Sequence, residues 1–158
     1  MANETSNNLT TNYNFLSPIG FKLVINREKF ANTEYFCTSA ALPSLSLGIA
    51  ETNFRQFKGY VPGDVTYDEF SVRIAIDEDL KVYQEIHDWI MRNRDVKNIE
   101  VHDAILLITT SKNNVNKQIQ LVNIYPTSLS TLEFNAQSTD VEYFQADVTF
   151  RYDYFKFL

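Results

Sequence analysis

The hydrophobic pattern changes period within residues 60–93, YVPGDVTYDEFSVRIAIDEDLKVYQEIHDWIMRN. Phe70, Val72, Ile74 and Ile76 alternate with Ser71, Arg73, Ala75 and Asp77, the period-two signature of a strand with one buried face. At Asp77-Glu78-Asp79 the period lengthens, and Val82, Tyr83, Ile86, Trp89 and Ile90 fall at helical spacing. Three carboxylates precede this segment and Arg92 and Arg94 follow it, both placements favourable to a helix dipole. The spacing predicts a sheet strand followed by the chain's one substantial helix, laid on one side or flank of the sheet.

The remaining pattern is mostly strand-like. Phe21, Leu23 and Ile25 alternate after the turn Ser17-Pro18-Ile19-Gly20, residues 26–32 read as a hairpin loop, and Thr33 to Thr38 read as the returning strand, closed by Leu42-Pro43. From 44 to 62 the pattern weakens. Leu45, Leu47 and Ile49 alternate, then Phe54, Phe57 and Tyr60 sit among Arg55, Gln56 and Lys58, and Pro62-Gly63-Asp64 reads as a turn. A long aromatic-bearing excursion in a small domain suggests an interaction element. Ala104 to Ile108 forms an apolar run, expected as a strand buried on both faces. Lys117 to Tyr125 returns with a change of face between Leu121 and Val122 that suggests a bulge, Pro126 is expected to stop it, and Leu129 to Phe134 reads as a short strand. The last strand, Val141 to Tyr154, has the strongest alternation, with Gln145, Asp147, Thr149, Arg151 and Asp153 on its polar side. Seven to eight strands and one helix predict a mainly β fold, an antiparallel two-sheet sandwich or barrel with one flanking α-helix.

Composition sharpens this picture. The 158 residues suit one domain, read as 15–158, behind a polar, flexible arm at 1–14. Aromatics reach 14%, carried by 12 Phe and 9 Tyr, which favours sheet over bundle. A formal charge of -6 with scattered Lys and Arg argues against a general nucleic-acid-binding surface. The single cysteine, Cys37, excludes an internal disulfide framework and a cysteine-based zinc site. The first residues carry no secretory pattern, and no apolar run approaches the roughly 20 residues of a membrane helix. The chain is expected in a cytoplasm, without membrane insertion.

Candidate chemistry is sparse. His87-Asp88 and His102-Asp103 repeat a metal-binding dipeptide, but that chemistry needs a helical scaffold this chain does not supply. Cys37 follows Phe36 in an expected strand, where a small buried hydrophobe is the usual role. Asp77-Glu78-Asp79 lacks the glycine and distal glutamate of a calcium loop, and no G-x-S-x-G elbow or phosphate loop occurs. The expectation is therefore no catalysis, no metal and no cofactor, leaving surface as the functional material.

Thr38 to Pro43, Gly63 to Phe70, Asp77-Glu78-Asp79 with the Trp89 helix, Tyr125-Pro126-Thr127, and Val148 to Tyr154, taken in that order, resemble the tail tube proteins of contractile-tailed bacteriophages. The likeness spans roughly 15–155 and rests on order and spacing. Phe70 and Phe155 stand where the family often has Trp, and Asn123 where it often has Gly. The resemblance implies hexameric rings stacked into a tube inside a contractile sheath, a virion tail tube assembled in the host bacterial cytoplasm. The implied partners are further copies of the chain, the sheath protein, a baseplate hub or tube initiator, a tape measure protein in the lumen, and DNA in transient non-specific passage. Leu45, Leu47, Ile49, Phe54, Arg55, Phe57, Lys58 and Tyr60 are then the expected contacts between subunits or rings, and Glu133, Gln145, Asp147 and Thr149 the expected lumen-facing residues. Arg73 and Arg151 fit a DNA conduit only if paired or turned away. The alternatives are a baseplate tube initiator, a secretion-system tube-like protein, and a β-sandwich ligand-binding module.

Overall fold

The computed structural model describes residues 15–26, 28–30, 33, 36–53, 55–137 and 143–158. The expected arm at 1–14, Phe54 and the start of the last strand lie outside them. Nine strands and one long helix are present among the described residues: β1 (Phe21–Val24), β2 (Cys37–Ala41), β3 (Leu45–Asn53), β4 (Lys58–Tyr67), β5 (Phe70–Ala75), α1 (Lys81–Arg92), β6 (His102–Thr109), β7 (Val115–Leu129), β8 (Gln145–Arg151) and β9 (Tyr154–Phe157). All pairings are antiparallel.

Two sheets share β7. Its first half pairs with β6 and β9, and β6 in turn with β1; its second half pairs with β8, followed by β5 and β2. Among the described residues the sheets do not close into a barrel. The residues that alternate inward form one core: Leu23, Leu106, Ile119 and Leu121 from one sheet, and Phe70, Val72, Ile74, Ala146, Val148 and Phe150 from the other. The helix buries Val82, Ile86 and Trp89 against it, with Tyr83 and Ile90 half-buried, which is the stripe that the 3.6-residue period selects.

Two local devices set the helix. Leu80 precedes it at φ 56, a left-handed conformation that costs a leucine about 1 kcal/mol. The Asp77 carboxylate accepts from the Lys81 and Val82 N–H groups, both at 3.2 Å, satisfying two donors of the first turn. At the other end Trp89 Nε1 and Asn93 Nδ2 donate to the Glu100 carbonyl at 2.9 and 3.0 Å, tying the helix to the strand that follows.

β7 bends where the sequence changes face. Its register against β6 steps between Leu121 and Ile124, and Asn123 sits there at φ 55, stabilised by N–H donation to Asp103 at 3.1 Å. The bulge expected from the pattern is present, at an asparagine that tolerates left-handed geometry.

Several expectations are corrected. Residues 21–24 and 37–41 do not form a hairpin with each other; β1 pairs with β6 and β2 with β5, and Thr33 and Phe36 are helical where strand was expected. Pro126 does not stop β7. Pairing to β6 ends at Ile124 and the register shifts between Pro126 and Ser128, so the missing N–H falls at an edge and a bulge. Residues 130–134 carry no strand. The single last strand is two, β8 and β9, broken at Asp153, and this leaves Tyr154 exposed. The run 104–108 is buried on one face only, with Ile105 and Leu107 half-covered.

Candidate functional site

The segment read as an irregular excursion is a long two-stranded hairpin. β3 and β4 pair with each other and with no other strand among the described residues. Pro62-Gly63-Asp64 is not its terminal turn but lies inside β4. Ile49 faces Pro62 while Leu47 faces Val65, so β4 carries one extra residue and bulges. Gly48 and Gly63 back onto each other at this bulge: a Cβ on either would meet backbone of the opposing strand at 3.2 Å.

Paired residues of a hairpin share a face. The register therefore gathers Leu45, Leu47, Ile49, Tyr60, Pro62, Val65 and Tyr67 on one side, with Glu51, Asn53 and Lys58 towards its far end, and Ser46, Ala50, Thr52, Gly59, Val61 and Thr66 on the other. The first side is apolar yet open: Ile49 is 73% and Tyr60 65% exposed, and Leu45, Leu47 and Val65 are exposed with them. Near its far end Lys58 pairs with Glu51 at 3.5 Å, and Arg55, Phe57 and Lys58 are exposed at the tip. A two-stranded ribbon with an uncovered apolar face is marginal in water by itself.

The base of the ribbon is held firmly. Asp68 N–H donates to the Ser44 carbonyl at 3.2 Å, and the Ser44 hydroxyl donates to the Asp68 carboxylate. The Tyr152 hydroxyl donates to the Asp68 carbonyl at 2.8 Å; burial and the nearby Asp68 charge push its pKa up to about 12. Tyr67 meets Tyr152 and Phe155 edge-on, with centroids 6.1 and 5.6 Å apart. The ribbon's direction is thus set by contacts with the core, while its length stands free of it.

The second surface is the outer face of the β2-β5-β8 sheet. Register places Arg73 beside Asp147, Ser71 beside Thr149 and Ala75 beside Gln145, with Ser39 next to Arg73 and Ser128 next to Thr149. The arginines are paired. Arg73 donates through Nε and Nη2 to the two Asp147 oxygens at 2.7 and 3.2 Å, and Arg151 lies 3.0 Å from Glu69. The guanidinium holds Asp147 below the usual carboxylate range. Gln145, Asp147 and Thr149 are thereby brought onto one hydroxyl-rich, charge-compensated face. Glu133 is not: it is exposed in the strandless segment after β7.

The residues weighed for chemistry have structural partners. His87 pairs with adjacent Asp88 at 3.1 Å on the exposed helix side, and His102 packs on Phe30 and Trp89. Cys37 is half-buried, its thiol pushed up to about 11 by burial. Sequence reading missed Glu100, which accepts from Lys29 and Arg92 at 2.6 Å and meets His102 at 2.9 Å. Those contacts hold its pKa down to about 2. Nothing in the pattern marks it, since its partners come from three separate segments.

No protein-family model and no curated protein matches this chain. Solved structures do. A chain of the sheath–tube complex of the extracellular contractile injection system PVC, in its extended state, aligns at TM-score 0.74 and 18% identity over 94% of this chain and 93% of its own. A chain of the anti-feeding prophage tube-terminating cap aligns at 0.74 and 16% identity over 99% of both. Hcp1 of E. coli EAEC 042 aligns at 0.54 and 10% identity, over 88% and 90%. At these identities the likeness establishes the fold, tail-tube-like and mainly β.

Proposed function

We propose that this chain is a structural, non-enzymatic subunit of the inner tube of a contractile particle, its copies closing into hexameric rings that stack. The hairpin carries this reading: Leu45, Leu47, Ile49, Tyr60, Pro62 and Val65 form an apolar face left exposed among the described residues, on a ribbon whose base is fixed and whose length is free. A neighbouring copy is the natural cover, because ring closure also occupies the open edges of β1, β2 and β9. Similarity to chains of sheath–tube, baseplate and Hcp structures supports the same architecture.

The finer reading is a phage tail tube conducting DNA, with sheath outside, a baseplate hub or initiator at one end and a tape measure protein in the lumen during assembly. The β2-β5-β8 face suits a lumen that DNA must cross without adhering. Each phosphate neutralised by a free cation strengthens binding, and both arginines on this face are already compensated. The particle then forms in the host bacterial cytoplasm and ends in the virion.

A second reading, a ring that begins or ends the tube, is favoured by the 99% mutual coverage with the tube-terminating cap chain. Electron microscopy of the chain alone and seeded with its baseplate decides between them. A tube subunit extends into filaments of sixfold rings; an end ring stops at one tier. A protein monomeric under both conditions and binding a small ligand in a cleft is a sandwich binding module instead.

A further inference from the structure

The β3–β4 ribbon divides into two parts that meet at its bulge. The lower part, residues 45–47 against 65–67, is locked to the body of the protein. The Ser44–Asp68 bonds close it, the Tyr152 hydroxyl holds the Asp68 carbonyl, and Tyr67 lies edge-on to Tyr152 and Phe155. The upper part, residues 49–53 against 58–62, is bonded within itself. Thr52 Oγ1 donates to the Gly59 carbonyl at 3.3 Å, and Lys58 pairs with Glu51 at 3.5 Å.

Three features coincide where the parts join. The register slips between Leu47 and Ile49, so that Gly63 and Asp64 together oppose Gly48 alone. The strands touch there through glycine. A Cβ on Gly48 would lie 3.2 Å from the Asp64 carbonyl oxygen, and one on Gly63 would lie 3.2 Å from the Gly48 carbonyl. The next residue up, Pro62 facing Ile49, has no N–H to donate across the ribbon. Neither glycine nor proline has a side chain that hydrogen-bonds to the opposite strand, and both glycines are exposed. Glycine also has the widest range of backbone dihedrals.

We infer that the Gly48–Gly63 contact is a hinge, about which the upper part of the ribbon turns as a paired unit while the lower part stays with the core. A hinge needs two internally bonded bodies and a few residues between them that absorb the change in dihedrals. Above and below the bulge the ladder is continuous and resists bending; at the bulge one residue is already unpaired, so a change of angle there disrupts least. An arm of about five residues is roughly 17 Å long, and a turn of about 20° moves its end by roughly 6 Å. The apolar face divides at the same place, with Leu45, Leu47 and Val65 below and Ile49, Tyr60 and Pro62 above. Turning therefore changes the angle between two halves of one contact face, which lets the ribbon fit a curved surface as well as a flat one. The hinge belongs to the single subunit and does not depend on the tube reading.

Double electron–electron resonance on the free full-length subunit, in a Cys37→Ser background, tests this. One spin-labelled pair is Gln84→Cys on α1 with Ser46→Cys in the lower part; the other is Gln84→Cys with Lys58→Cys near the tip. All three labelled positions are exposed. The Gln84–Lys58 distance distribution is expected to be about twice as wide as the Gln84–Ser46 one. Gly48→Ala and Gly63→Ala, each adding a Cβ at the joint, are expected to narrow it towards the Gln84–Ser46 width. Amide hydrogen exchange at 50–53 and 58–61 is expected to be slower than in the strandless segment 130–134, as it must be if the upper part turns without unzipping. Equal widths for the two pairs mean a rigid ribbon, and equally broad ones put the motion at the base; either overturns the hinge. Exchange as fast as in 130–134 means unfolding in place of turning and overturns it as well. A width unchanged in both alanine variants removes the glycines as the pivot. Where a variant disrupts the ribbon, its exchange shows this, and the wild-type widths and exchange decide alone.

Discussion

Glu100 shows how one side chain gathers distant segments. It receives Lys29 from the loop after β1, Arg92 from α1 and His102 from β6, and it lies beside the packed rings of Phe30 and Trp89. Its depressed pKa means that the folded form prefers the carboxylate. The stabilisation is present above the ordinary value of 4.5 and disappears as pH falls to about 2. Because Lys29 and Arg92 are half-exposed, the net effect is discounted for solvent: Glu100→Gln is expected to cost roughly 1–2 kcal/mol at pH 7 by urea denaturation, with the difference closing below pH 4. A constant difference down to pH 2 would show that the charge is not what matters. Gly20 makes a second residue-scale case. A Cβ there would meet the Thr109 carbonyl oxygen at 2.7 Å, so Gly20→Ala is expected to lower stability by about 1–3 kcal/mol through displacement of β1 from β6. An unchanged denaturation midpoint would refute that crowding.

At the level of elements, what the sequence reveals depends on whether one face repeats without interruption. β5 and α1 keep their periods and are found where expected, with the apolar residues inward. Asn123 announces its bulge because the apolar residues change side there. The β3–β4 ribbon is harder. Its extra residue at Gly63-Asp64 breaks the alternation of β4, and Pro, Gly and Asp together spell a turn to any local rule, although they sit in mid-strand. Pro126 misleads in the same way, because only the tertiary register shows that β7 has no β6 neighbour beyond Ile124. Leu45, Leu47, Ile49 and Tyr60, proposed as contacts, were nevertheless legible as an unplaced apolar set, while their common face emerged only from the pairing. That face yields a prediction belonging to the element. Leu47→Asp with Ile49→Asp is expected to leave the thermal midpoint within about 2 °C, since both side chains are exposed in the free subunit. Ring formation, read by sedimentation, is expected to be lost. Rings of normal yield from this variant would remove the hairpin from the subunit interface.

Across the whole molecule, the arrangement separates a closed core from surfaces left for others. Among the described residues, nine strands and one long helix bury one continuous interior, yet an apolar ribbon and the edges of β1, β2 and β9 remain open. The outer β2-β5-β8 face differs from all of these in being hydroxyl-rich with its arginines compensated. In an assembled DNA conduit, Asp147→Lys frees Arg73 and adds a cation at each copy. It is expected to preserve the fold by circular dichroism and slow genome delivery in a salt-dependent manner. Normal delivery with the position confirmed inside the channel would contradict the conduit mechanism. The most direct test of the account as a whole is a cryo-electron-microscopy reconstruction of the chain assembled with its baseplate. The account predicts sixfold rings in which Leu47, Ile49, Tyr60 and Val65 are covered by a neighbouring copy. A map in which the hairpin stays solvated, or folds onto its own subunit, would contradict it.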